Sequence, residues 1–171
     1  MYIKNNKSFI RHTKFETNKI EAIWIEIVLP HIKNMLFCVL YRPPDSKAEW
    51  IDYFHEMLAT PCNSPNDIVI IGDFNINLLD GNNRIWLQDI ETHNLKQIIK
   101  VPTRETDLSS TLIDHIYTNN DGRIFNIDVP KIRLSDHYPI YFTWKHAASH
   151  RPTSKKEGHV TMKYRATDKL N

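Results

Sequence analysis

The sequence predicts an α/β or α+β sandwich, and three observations carry that prediction. Apolar runs of strand length outnumber runs with helical spacing, the helical runs fall between the strands, and polar motifs recur where strands end. The 171 residues suit one domain of ordinary size. An apolar fraction of 41% with 25% charged residues leaves enough apolar side chain for a packed core.

The elements follow in order. Ile20 to Leu29 alternates in part, with Ile23, Ile25 and Ile27 on one side and Trp24 and Val28 on the other, so it reads as a strand stopped by Pro30. His31-Ile32-Lys33-Asn34 is a turn of hairpin length leading into a second strand, Met35 to Tyr41, which Pro43-Pro44 ends. Asp45-Ser46 opens a helix in which Ser46 and Glu49 have capping-box spacing, Trp50, Phe54, Met57 and Leu58 form the buried face, and Pro61 is the stop. After the turn-rich Asn63 to Asn66, the apolar run Asp67 to Ile71 reads as a buried strand. Gly81-Asn82-Asn83 precedes a second helix with Ile85, Trp86 and Ile90 inward. Leu112 to Tyr117, Ile124 to Val129 and Tyr138 to Trp144 read as strands, as does Met1 to Lys4, and Asn119 to Gly122 is a turn. The domain is expected over 1–146, with 147–171 a polar, basic linker.

No run approaches the ~20 apolar residues that a membrane-spanning helix needs, and the polar start lacks the apolar core of a signal peptide. Cys38 and Cys62 are too few for a disulfide scaffold or a zinc site. The formal net charge of +2 is uneven: from Lys145 onward there are seven Lys/Arg against two Asp/Glu, which leaves a slightly acidic body. Such a tail is either a solvated linker or a segment that attracts polyanions.

Chemistry gathers at a few strand ends. Asp73 follows Val69 and Ile71 on one face of a buried run, where a carboxylate needs a partner such as a metal. Asn75, two residues on, points the same way in an extended chain and offers an acceptor and a donor to a phosphate or a water. Gly-Asp-x-Asn is equally good turn chemistry. Asp114 lies between Leu112 and Ile116 on a strand face, either as a site residue or in an edge-strand ion pair; His115 points to the opposite face and reads as structural. In Ser135-Asp136-His137-Tyr138-Pro139, His137 can act as a general base or bind a phosphate as a cation. Neighbours on a strand diverge, so Asp114 orients His137 better than Asp136 does; the plain alternative is an exposed loop histidine. Tyr41 and Arg42 either contact a phosphate or simply end a strand. Lys100 to Arg104 and Ser109 to Thr111 are loop segments within reach of a nucleic-acid backbone. The Asp/Asn/Asp/Asp/His set is of the oxygen-rich kind that holds Mg²⁺ and attacks phosphate esters.

In this order, Tyr41-Arg42-Pro43-Pro44, Gly72-Asp73-Phe74-Asn75, Leu112-Ile113-Asp114-His115-Ile116 and Ser135-Asp136-His137-Tyr138-Pro139 resemble the successive motifs of the endonuclease/exonuclease/phosphatase superfamily. The nearer likeness is to the endonuclease domain of LINE-type non-LTR retrotransposons, over about residues 1 to 144. The resemblance implies a four-layer α/β/β/α sandwich and Mg²⁺-dependent hydrolysis of a DNA phosphodiester, with Mn²⁺ as a substitute, leaving a 3′-hydroxyl. It implies that Asp73 and Asn75 bind the phosphate and position the water. Asp136 then belongs to the metal region, His137 pairs with Asp114, and Tyr41 and Arg42 lie beside the substrate. It further implies DNA as partner, a reverse transcriptase domain C-terminal in the same polyprotein, and a nuclear location. The family also has an Asn-bearing strand and a metal-ligand Glu at its start, for which this chain offers no match. The chain therefore reads as N-terminally incomplete and of weak or absent activity by itself. The competing readings are a catalytically dead remnant that binds nucleic acid, and a superfamily phosphatase acting on a small phosphate ester.

Overall fold

A computed structural model describes residues 1–4, 8–29, 32–132, 135–145 and 159–164. Eleven strands and two helices follow one another as β1 (Phe9–Arg11), β2 (Glu21–Ile27), β3 (Met35–Tyr41), α1 (Glu49–Cys62), β4 (Asp67–Asp73), α2 (Arg84–Thr92), β5 (Lys96–Gln97), β6 (Arg104–Glu105), β7 (Ser110–Thr111), β8 (Asp114–Thr118), β9 (Ile124–Asp128), β10 (Ile140–Lys145) and β11 (His159–Tyr164). Six of the strands form one mixed sheet in the order β1-β2-β3-β4-β8-β5, and β11-β10-β9 form a second. Among the described residues only β3 and β4 pair in parallel, as a crossover through α1 requires; the other pairings are antiparallel.

Alternation along the central strands builds two cores. Trp24, Cys38, Leu40, Ile68, Ile70 and Tyr117 face the helices and meet Trp50, Phe54 and Trp86. Ile25, Phe37, Val69, Ile71 and Ile116 face the second sheet and meet Ile140, Phe142 and Trp144. Strand β4 is buried from end to end, as its continuous apolar run predicts for a central strand. The fold is therefore of the α/β class, with a helical layer and two packed sheets; among the described residues no helix covers the outer face of the second sheet, where Phe125 and Ile127 are exposed. No helix among these residues is long and apolar enough to cross a membrane.

Gly72 sits where only glycine fits, since a Cβ there would overlap the backbone carbonyl oxygen of its register partner Leu40. This close approach seats the C-terminal end of β4 against β3, beside the Tyr41-Arg42 segment.

Several local expectations differ from the structure. Helix α1 starts two residues later than its capping-box signal: its N-cap is Ala48 rather than Ser46, and the Ser46 hydroxyl donates instead to the Pro43 carbonyl at 2.6 Å. Pro61 lies in the last turn rather than beyond it. Ile85 is 71% exposed, because a helix starting at Arg84 carries Trp86 and Ile90 inward and turns Ile85 away. Met1 to Lys4 form no strand, and the first strand is Phe9–Arg11. The segment read as a linker, 147–171, contains β11, paired along all of β10. Val160, Met162 and Tyr164 alternate there with His159, Thr161 and Lys163, a period-2 signal outweighed in the reading by the surrounding charge. Pro30 and His31 lie outside the described residues.

Candidate active site

The register of the large sheet sets the site. Glu21, Tyr41, Asp73 and Asp114 are successive partners across β2, β3, β4 and β8, so their side chains share one face at the end of the strands. The segment that enters β10 brings His137 to the same end. A ligating atom each of Asp73, Asp114 and His137 lies within 4.8 Å of the others, the only such trio among the described residues.

Asp114 is 1% exposed, and His137 Nδ1 donates to its Oδ2 at 2.9 Å. That bond fixes the ring and leaves Nε2 as the working nitrogen, with no hydrogen-bond partner among the described residues. Burial by itself would lower the His137 imidazole; the Asp114 hydrogen bond, with the charges of Asp114, Asp73 and Asp136, outweighs it and raises the group above its ordinary value. Asp73 is 7% exposed, and burial and then the Asp114 charge push its carboxyl up to about 6, against the Asn75 amide and the charges of His137 and Arg104. Two carboxyls held this close favour a shared cation or proton.

Asn75 does not continue the strand. Its φ of 48° is left-handed, and its N–H donates to Asp73 Oδ1 at 3.0 Å in an Asx-type turn. Its side-chain amide donates to the Arg42 carbonyl at 2.8 Å. The turn reading of Gly72-Asp73-Phe74-Asn75 therefore holds, and the turn fixes where the two side chains stand.

Arg42 is placed differently from its reading as a phosphate contact. Its guanidinium lies over the Trp50 ring, 5.3 Å from the centroid, and donates to the carbonyls of Phe74, Asn75 and Ser46 at 3.3–3.5 Å. It braces the Asp73 turn from behind. Tyr41 stays beside the site, its hydroxyl raised by burial and then by the charges of Asp73, Glu21 and Asp45. Asp136, read as a metal ligand, is outside the trio and accepts from Arg104 Nε at 2.6 Å. Burial would raise its carboxyl, but Arg104 prevails and holds it below the ordinary value.

Sequence reasoning met Thr103 and Arg104 only as part of a loop segment, Lys100 to Arg104, offered to a nucleic-acid backbone, and gave neither a place in the site itself. Thr103 is fully buried; its Oγ1 accepts from the N–H groups of Ile113 and Asp114 at 3.2 and 3.0 Å, and its carbonyl accepts from Tyr138 N–H at 2.7 Å. It thus ties the Asp114 strand to the His137 segment. His115 is buried and stacked on Phe74. Its Nε2 faces the Ile76 and Leu112 carbonyls and must carry the proton, so Nδ1 accepts from the Tyr117 hydroxyl, which accepts from Trp86 Nε1. Burial pulls this imidazole down to about 4, so it stays neutral, as its assignment to the face opposite Asp114 anticipates.

The trio fits a divalent cation. Asp114 Oδ1 is buried without a hydrogen-bond partner among the described residues, and two facing carboxylates are the oxygen donors that a hard divalent cation takes.

A family model described as endonuclease-reverse transcriptase matches residues 35–141, more than half of the chain. Among solved structures, the endonuclease domain of TRAS1, a telomere-specific non-LTR retrotransposon, is similar with a TM-score of 0.65 at 18% identity, covering 78% of this chain and 64% of that one. An endonuclease/exonuclease/phosphatase family protein from Leptotrichia buccalis matches with a TM-score of 0.48 at 13% identity, covering 78% and 59%. A mannosyl-6-phosphatase of Bacteroides thetaiotaomicron matches with a TM-score of 0.48 at 13% identity, covering 80% and 64%. The chain spans less than two thirds of the length of each, and at such identities the likeness speaks to fold alone. No curated protein matches. The matched span opens at the strand that ends in Tyr41-Arg42 and closes just beyond His137, and by that match the chain belongs to the endonuclease-reverse transcriptase family, within the endonuclease/exonuclease/phosphatase superfamily.

Proposed function

We propose that this chain carries the site of a divalent-metal-dependent DNA endonuclease that nicks target DNA for a non-LTR retrotransposon. The observation that carries the reading is the meeting of Asp73, Asp114 and His137 from three separate segments. An apolar structural core has no use for two buried carboxyls facing each other.

Asp73 and Asp114 would hold the cation, which would offset charge on the phosphate and on the attacking and leaving oxygens. His137 Nε2, aimed by Asp114, accepts the proton of the attacking water or, when protonated, holds a phosphate oxygen. Asn75 and Tyr41 flank the phosphate. The water oxygen bonds to phosphorus and the bond to O3′ breaks. The electron pair leaves with O3′, which takes up a proton; a 3′-hydroxyl and a 5′-phosphate result. That 3′-hydroxyl can prime synthesis by a reverse transcriptase domain lying C-terminal in the same polyprotein, and such work places the protein in the nucleus.

The test is nicking of supercoiled plasmid in Mg²⁺, with EDTA and His137→Ala as controls. Loss of ~10²–10⁴-fold in rate with His137→Ala is expected for a general acid–base group. Folded protein that leaves plasmid intact while hydrolysing small phosphate esters would sink the DNA reading.

A further inference from the structure

The four motifs put one arginine forward, Arg42, and the structure puts forward another. Arg42 is committed to three backbone carbonyls and an indole ring. Arg104 stands at the base of the β6–β7 hairpin, next to the segment that carries His137. Its backbone forms an antiparallel bridge with His137. The residues on either side of it are tied to the same segments: Glu105 N–H donates to the Asp136 carbonyl at 3.0 Å, and Thr103 binds both the Asp114 strand and Tyr138. Arg104 therefore has a fixed base on the elements that carry the trio.

Its side chain is oriented as well. Nε donates to Asp136 Oδ2 at 2.6 Å, while the two terminal nitrogens have no hydrogen-bond partner among the described residues. The side chain is 38% exposed, so these nitrogens reach solvent, and Arg104 is near enough to Asp73 for its charge to be felt there. The neighbouring acid, Glu105, is engaged by the Tyr138 hydroxyl and Lys131.

An arginine held by one nitrogen with its fork open is the arrangement that grips a phosphate through two parallel hydrogen bonds. The site also needs such a cation. Asp73, Asp114 and Asp136 bring three carboxyl groups to the place where a phosphodiester must settle, and electrostatic repulsion opposes that approach. We propose that Arg104 is a phosphate-binding residue of this site, contacting non-bridging oxygens of the nucleic-acid backbone at or beside the bond to be cut, and that Asp136 serves as its anchor. This rests on the nuclease reading above and adds the residue that receives the substrate's charge.

The experiment is equilibrium binding of a short DNA duplex to the full chain by fluorescence anisotropy across a salt series, with Ca²⁺ in place of Mg²⁺ so that no strand is cut. Arg104→Gln should weaken binding about tenfold or more and lower the slope of log affinity against log salt by about one. Arg42→Lys, which keeps a charge on the structural arginine, should leave that slope alone. Arg104→Lys keeps the charge and loses the fork, so its slope should match the wild type while affinity falls several-fold. Should Arg104→Gln fail to fold, Arg104→Lys carries the test. Wild-type affinity in the folded Gln variant, or in the Lys variant where Gln does not fold, overturns the phosphate contact and leaves the nuclease reading standing. A wild-type chain that does not bind DNA overturns both.

Discussion

Asp67 opens strand β4 and Asp73 closes it, and both side chains are buried in the same sheet. Their surroundings are opposite. Asp67 meets the Lys33 amine at 2.9 Å and the Arg123 guanidinium at 3.3 Å and accepts from the Asn120 amide at 3.2 Å, two cations and a donor that offset its burial. Asp73 meets a second buried carboxyl, and the hydrogen bond it accepts comes from a backbone N–H of its own turn. One seven-residue strand thus carries at its two ends a carboxylate that holds the fold together and one that the fold holds under tension. Burial alone does not distinguish a functional acid from a structural one; what it faces does.

That contrast predicts substitutions of opposite sign. Asp67→Ala should cost about 3 kcal/mol in urea unfolding, because it strands Arg123, whose Nη1 is already without a partner among the described residues. Asp73→Asn should do the reverse and stabilise the metal-free protein at pH 7 by about 1–3 kcal/mol, since the neutral amide keeps the Oδ1 acceptor and removes the buried charge. Equal losses in the two variants would break the comparison.

The same difference has a pH signature. The Asp73 carboxyl is raised from its ordinary value to about 6, so the folded protein holds its proton more tightly than the unfolded chain does. Its contribution to stability is full below about pH 4 and is lost as pH rises through about 6. Thermal melts should show that decline in the wild type and a flatter profile in Asp73→Asn. Above pH 7, millimolar Mg²⁺ should recover stability in the wild type by mass action and leave Asp73→Asn unmoved. The smallest effect belongs to Lys33→Met: its amine is well exposed, so the change should fall within a few tenths of a kcal/mol to about 1 in the same unfolding assay.

Much of the frame was legible in the residues. Met35–Tyr41 and the start of β4 were read to the residue, because unbroken apolar runs bounded by Asn and Pro leave little choice of register. Asp73, Asp114 and His137 were legible because each stands as a polar residue against an apolar strand; the alternation of side chains set Asp136 aside as the partner of His137, and the family resemblance paired that ring with Asp114, the bond the structure contains. What escaped has a common cause. Arg104 gains its meaning from Asp136, 32 residues away, and the role of Arg42 comes from carbonyls exposed by a left-handed turn at Asn75. Neither relation leaves a periodic trace. The strand at His159–Tyr164 had a trace, but a charged setting outweighed it.

Thr103 gives the site a dynamic character as well as a shape. The amides of Ile113 and Asp114 end on its hydroxyl and that of Tyr138 on its carbonyl, so a local opening that frees one of them must loosen the others. In deuterium exchange these three amides should behave as one unit, with a shared protection factor distinct from that of the hairpin tip around the fully solvent-facing Leu108. The acid and the imidazole would then be lost and regained together.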